Sequence, residues 1–150
     1  MLRTTALACA VGACLTCSVA FAQAEPDNAI KYRQTIYQTL GANLTAVVMN
    51  LKGEVAFPDA VAVHARTVAE SAPLVLPAME QNTAGEGSAA TEALDKIWDD
   101  WDDFASKAED MQAAAMRLAE VAEGGDMQAI GAQTQAVAET CKSCHDAYRE

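Results

Sequence analysis

From Ile30 onward, apolar residues recur every seven positions, at Tyr37, Leu44 and Leu51, with Leu40 and Val47 interleaved and mostly polar residues between. Such a stripe lies along one face of an α-helix and lacks the strict alternation of a half-buried strand. Asp27, behind Glu25-Pro26, is the expected N-cap, and Lys52-Gly53 supplies the stop. A second helix opens at Phe57-Pro58-Asp59, with Asp59 as cap and Val61, Ala65, Val68 and Ala72 on one face, and Pro73 and Pro77 end it. Residues 78–88, including Gly85 and Gly87, carry no periodic apolar pattern and read as a long connection.

The pattern is cleaner from Thr91, where Leu94, Ile97, Trp101, Phe104, Ala108, Met111, Ala115, Leu118 and Ala122 follow spacings of three and four until Gly124-Gly125. Asp126 then caps a fourth helix whose stripe is Met127, Ile130, Thr134, Val137, Cys141, Cys144 and Tyr148. Four amphipathic helices, short turns and one longer crossover loop predict an all-α fold, an antiparallel four-helix bundle. The same stripes would also serve an intermolecular coiled coil, but breaks at Gly53, Pro73 and Gly124-Gly125 favour a self-contained bundle.

The first residues do not belong to this bundle. Arg3, an apolar run from Ala6 to Val19 and the small-x-small site Ala20-Phe21-Ala22 predict a secretory signal peptide over 1–22 and a mature domain over 23–150. The run falls short of the ~20 apolar residues a membrane span needs. Cleavage after Ala22 makes the protein exported, in the periplasm, and removes Cys9, Cys14 and Cys17, leaving Cys141 and Cys144. The mature chain then carries nine Lys plus Arg against 21 Asp plus Glu, a formal charge of −12. That charge argues against nucleic acid or an anionic membrane as partner and favours a basic or neutral one.

Cys141-Lys142-Ser143-Cys144-His145 has the spacing of a covalent c-type haem attachment site. On a helix, thiols three residues apart share a face, and the imidazole follows one turn above the first, so two sulfurs meet two vinyl groups while a nitrogen faces iron. A zinc site would need two further ligands where the mature chain offers His64, and a redox dithiol would need a βαβ setting. The expected cofactor is haem c, one per chain. His64 sits near an apolar stripe and reads as a packed boundary residue. Asp95, Asp99, Asp100, Asp102 and Asp103 alternate with Trp98 and Trp101, as a solvated helical face does.

Lys31-Tyr32-Arg33-Gln34, the Asp59 helix opening, Ile97-Trp98 with Phe104, and Cys141 through Arg149 together resemble cytochrome c′, a class II c-type cytochrome with haem near the C-terminus of a four-helix bundle. The resemblance spans the mature chain. It implies thioether anchors at Cys141 and Cys144, His145 as the only protein ligand to iron, Arg149 packed on the proximal side near His145, and Arg33 near the haem propionates. It puts Tyr37 over the distal face, where low-spin relatives carry a ligating Met, and places Phe104 and Trp98 on the haem side of the third helix. Met49 lies too far along the first helix to take that slot.

Five-coordinate, high-spin iron follows as an expectation, with electron transfer and binding of NO or CO as the function rather than enzymatic turnover. The implied partners are a redox protein, a small diatomic gas, and a second copy of the chain paired through the first two helices, where Val48 and Ile36 lie off the main stripe. The competing readings are a low-spin Met-ligated carrier, a haem peroxidase or nitrite reductase, which would need distal acid–base residues, and a helical binding module without haem.

Overall fold

The computed structural model describes residues 23–150, so the expected signal peptide lies outside the described residues. Four long helices form the bundle: α1 (Pro26–Leu51), α2 (Pro58–Ser71), α5 (Trp101–Glu123) and α6 (Met127–Tyr148). Between α2 and α5 the chain makes a 3-10 turn (Ala72–Leu74) and the short helices α3 (Val75–Met79) and α4 (Lys96–Asp99). Successive long helices run antiparallel and pack in the order α1, α2, α5, α6, and α6 returns to α1 with the sparsest contact of the ring. Among the described residues no helix is long and apolar enough to cross a membrane.

Asp126 caps α6 as expected, accepting from the Gln128 and Ala129 backbone N–H groups at 2.9 and 3.3 Å. Gly125 before it, at φ +70°, takes the left-handed conformation that lets the chain reverse. The other two caps are corrected. Glu25 and Phe57 occupy the N-cap positions, with Pro26 and Pro58 opening the helices, and Asp27 and Asp59 fall in the first turns. Proline fits there because its missing N–H would have been unpaired anyway. Asp27 reaches across the molecule instead, accepting from Ser88 N at 2.5 Å, Ser88 Oγ at 2.8 Å and Ala89 N at 2.9 Å, and so ties the crossover to the start of α1.

Pro73 ends α2 but not the helical run. It enters the 3-10 turn near its start, and Pro77 occupies the third position of α3, again within the first turn, where no intrahelical N–H bond is lost. The crossover therefore begins at Glu80 rather than Ala78. The third long helix also starts later than expected. Ala93 pairs antiparallel with Arg149, Leu94 N–H donates to the Tyr148 carbonyl at 3.0 Å, and Glu150 N–H donates to that of Glu92 at 2.9 Å. These long-range bonds, which periodicity does not encode, hold 92–94 extended against the end of α6, and a non-helical kink at Asp100 separates α4 from α5.

The core has two lobes. One is built on Ile36, Val68, Val75, Met79, Ile97, Phe104, Met111 and Tyr148, the other on Val47, Val61, Ala65, Leu118, Ile130 and Val137, with Leu44 and Cys141 touching both. On α1 the heptad reading is corrected: Ile36 is 8% exposed inside the core, whereas Tyr37 is 36% exposed. Ile36 packs in the cluster with Val68 and Phe104, whereas Tyr37 borders the opening that faces Cys144 on α6. Ile36 is thus withdrawn from any surface for a second copy of the chain.

Candidate haem site

Where α1 and α6 stand apart, a cavity of about 640 Å³ opens, within the ~300–1,000 Å³ of cofactor pockets. The Arg33-to-Leu44 stretch of α1 lines one wall, Val137 to Arg149 the other, and Val75, Met79, Ile97, Phe104, Ala108 and Met111 the floor. Of the residues placed at the haem from the sequence, Arg33, Tyr37, Phe104, Cys141, Cys144, His145 and Arg149 border this one space, whereas Trp98, on the short helix α4, does not line it.

Cys141 and Cys144 are half-buried free thiols one turn apart on α6. Burial pushes both upward in pKa, and at Cys144 the neighbouring Cys141 adds to the effect, so both are neutral at physiological pH. His145 is more exposed, and burial of part of its ring followed by the Arg149 charge lowers its pKa. A neutral imidazole keeps a lone pair for a metal. Among the described residues, no three His, Cys, Asp or Glu side chains converge to hold a metal ion by themselves.

Arg149 lies beside His145 through the last turn of α6, its N–H donating to the His145 carbonyl at 3.1 Å. Its side chain is half exposed rather than packed, since Glu92 draws it outward by accepting from Nε at 2.6 Å and pairing with Nη2. Tyr148, next to it, is buried, and its hydroxyl donates to the Asp103 carboxylate at 2.7 Å. That bond pins the end of α6 to the first turn of α5.

Arg33 is 2% exposed, an unusual place for a guanidinium. It lies over the Trp98 ring at 5.3 Å and donates from Nη2 to Thr83 Oγ1 at 2.9 Å, while Trp98 Nε1 is fixed by the Met79 carbonyl at 2.9 Å. Its Nε and Nη1 have no partner. Two donor nitrogens left unpaired on a buried cation are costly unless an anion meets them. Phe104 is buried on the floor, edge-on to Tyr148 at 5.5 Å. Tyr37 stands one turn beyond Arg33, and burial pushes its phenol up, as does the nearby Cys144, while the Arg33 charge pulls the other way.

These side chains fit haem c. Two thiols and an imidazole share one helical wall, the floor is apolar, and the orphaned Arg33 donors would meet an acid group of the macrocycle. Thr83, Glu92, Met79 and Met111 were not singled out from the sequence. Thr83 sits in the aperiodic connection, where the one available clue was that a buried Arg33 would need oxygen partners, and Glu92 falls in a stretch whose periodicity predicts helix. The methionines read as ordinary core.

The chain matches the family model Cytochrome C′ over residues 28–149. It is 35% identical over 137 residues to cytochrome c′ of Rhodospirillum rubrum, covering 91% of this chain and 92% of the relative. A cytochrome c′ structure described as having ligand-controlled dimer dissociation superposes with a TM-score of 0.78 at 29% identity, covering 85% of this chain and 98% of that one. The nitric oxide complex of a cytochrome c′ variant from Alcaligenes xylosoxidans superposes with a TM-score of 0.72 at 26% identity, covering 85% and 98%. The chain therefore belongs to the cytochrome c′ family and is a c-type haem protein whose haem is covalently bound.

Proposed function

We propose that the protein is an exported, periplasmic cytochrome that holds one haem between α1 and α6, carries electrons to a redox partner protein, and binds NO or CO at a five-coordinate, high-spin iron. The observation that carries this reading is the cavity itself, with Cys141, Cys144 and His145 on one wall and Tyr37, which has no thioether, on the other. When bound, haem supplies an iron that changes oxidation state and accepts one further ligand. Cys141 and Cys144 would hold haem through thioether bonds, each S–H adding across a vinyl group, so attachment would need no oxidant and release no group. His145 would offer its neutral imidazole to iron with Arg149 beside it, Phe104 would supply apolar packing, and Arg33 would neutralise a propionate.

The apolar floor and the Tyr37 ring admit a neutral diatomic more readily than an anion, whose burial would be unpaired. Relatives support the gas and dimer parts of this reading, one having been solved as a nitric oxide complex and another described by ligand-controlled dimer dissociation. Binding and redox change, not turnover, are the chemistry proposed, because His145 is the sole imidazole bordering the cavity and Glu92 is engaged by Arg149. The low-spin reading keeps one foothold: Met79 and Met111 border the cavity from its floor, although no Met does so from α1.

Acid–organic extraction of the purified holoprotein tests the attachment. Haem should stay with the wild-type chain and be partly released from Cys141→Ala and from Cys144→Ala, and His145→Ala should change the ferrous spectrum. Complete extraction from wild type, or an unchanged spectrum in His145→Ala, would overturn the assignment.

A further inference from the structure

The crossover contains one closely tied turn, and its centre meets Arg33. Asn82 Oδ1 accepts from the Ala84 N–H at 2.8 Å, the Thr83 carbonyl accepts from the Glu86 N–H at 3.0 Å, and Gly85 at φ +67° supplies the left-handed residue between them. The Gln81 side chain anchors the approach by donating to the Ala24 carbonyl at 2.7 Å. Thr83 is 5% exposed, and its Oγ1 accepts from Arg33 Nη2 at 2.9 Å. The Gln81 carbonyl, 3.5 Å from the same nitrogen, is the weaker acceptor. Trp98 covers a face of the guanidinium, and its own Nε1 is fixed by Met79. Every hydrogen bond of the guanidinium is therefore made by Nη2, while Nε and Nη1 have no partner among the described residues, on a side chain that borders the haem cavity. A guanidinium is a rigid planar fork, so an acceptor that fixes one nitrogen decides where the others point.

We propose that Thr83 is a positioning residue for the haem: by holding Arg33 Nη2 it aims the remaining donors at a haem acid group, and it thereby raises the reduction potential. This rests on the pairing of Arg33 with a propionate proposed above, and adds a residue of the crossover that acts only through the guanidinium. A carboxylate near iron favours the ferric state. A guanidinium turned toward that carboxylate cancels part of its charge and shifts the balance to ferrous, and the effect is larger where water is scarce. Arg33, 2% exposed, is in such a place. Without the Thr83 hydroxyl, Nη2 would be left to the distant Gln81 carbonyl, and the fork would lose its direction.

Thr83→Val keeps the shape and removes the acceptor, whereas Thr83→Ser keeps the hydroxyl, and covalent attachment retains haem in every variant. Spectroelectrochemical titration of the purified holoproteins reads the effect. At a fixed applied potential the ferrous-to-ferric ratio should fall about 3- to 10-fold in Thr83→Val, or ~30–60 mV for a one-electron couple. It should stay at the wild-type value in Thr83→Ser and fall at least as far in Arg33→Met as in Thr83→Val. Adding Thr83→Val to Arg33→Met should lower it no further, because two residues that act through one group are not additive. A wild-type potential in Thr83→Val, with Arg33→Met lowered, would overturn the positioning role alone. So would a Thr83→Ser potential as low as that of Thr83→Val, or a full further drop in the double variant. A wild-type potential in Arg33→Met would overturn the propionate pairing together with the role of Thr83. If Arg33→Met does not fold, the Thr83→Val and Thr83→Ser pair still decides whether the hydroxyl sets the potential.

Discussion

Arg33 is the residue on which sequence and structure differ most in what they reveal. In the sequence it is one cation on an amphipathic helix, whose default place is the solvated face. In the structure it is buried under Trp98 with two donors unspent. Its burial follows from α1 geometry, because the face that buries Ile30 and Ile36 also carries position 33. If a propionate meets those donors, Arg33→Met leaves a buried acid unpaired and should lower the stability of the holoprotein by about 3 kcal/mol. A denaturant midpoint unchanged or raised by Arg33→Met would mean that the guanidinium has no anionic partner. Tyr37 gives the complementary case. Being 36% exposed, its truncation to Ala should cost about 1–2 kcal/mol, below the ~3–5 of a fully buried aromatic. Tyr37→Ala should nonetheless speed CO association in stopped flow, and a rate equal to wild type would show that the ring does not limit access.

At the scale of elements, the long helices were legible because periodicity and punctuation agree. The Asp126 cap and the Gly124-Gly125 break needed no tertiary information, and α6 carries its thiols where the stripe put them. What periodicity could not register are contacts between distant segments. The three-and-four pattern of Leu94 and Ile97 predicts helix over 92–94, yet the chain there is held extended by Tyr148 and Glu150. The residue type of Asp27 predicts a cap, whereas its carboxylate serves Ser88 and Ala89 some sixty residues away.

That link yields a prediction for the crossover. Gly87 has φ +77°, and an added Cβ would run into Asp27 Oδ1, so Gly87→Ala should destabilise by about 1–3 kcal/mol. The Ser88 and Ala89 hydrogen bonds hold the Asp27 pKa below its ordinary 3.8. A carboxyl depressed by folding stabilises the fold above its unfolded value and loses that effect as pH falls through the folded one. Amide exchange protection at Ser88 and Ala89 should therefore be full near neutrality, fall below pH 3.8, and be weak at every pH in Asp27→Ala. Protection independent of both acid and the substitution would contradict the tie.

For the whole molecule, the ring of helices is closed on three sides by apolar packing and left sparse between α1 and α6, so the proposed haem completes the core as well as the function. The homodimer proposed from the family has less apolar surface to draw on than the sequence suggested, since Ile36 is buried and Val48 half-buried. Phe57 and Val63, both exposed near the start of α2, remain on that side of the bundle. Sedimentation of the holoprotein at micromolar concentration should show a dimer that weakens in Val63→Glu, and a monomer throughout would contradict pairing. N-terminal sequencing of exported protein should begin at Gln23. The most direct test of the central claim is the visible spectrum of the purified ferrous protein before and after CO is added. The account predicts high-spin bands from a haem with one protein ligand, converting to low-spin bands with CO; low-spin bands from the outset, unmoved by CO, would contradict it.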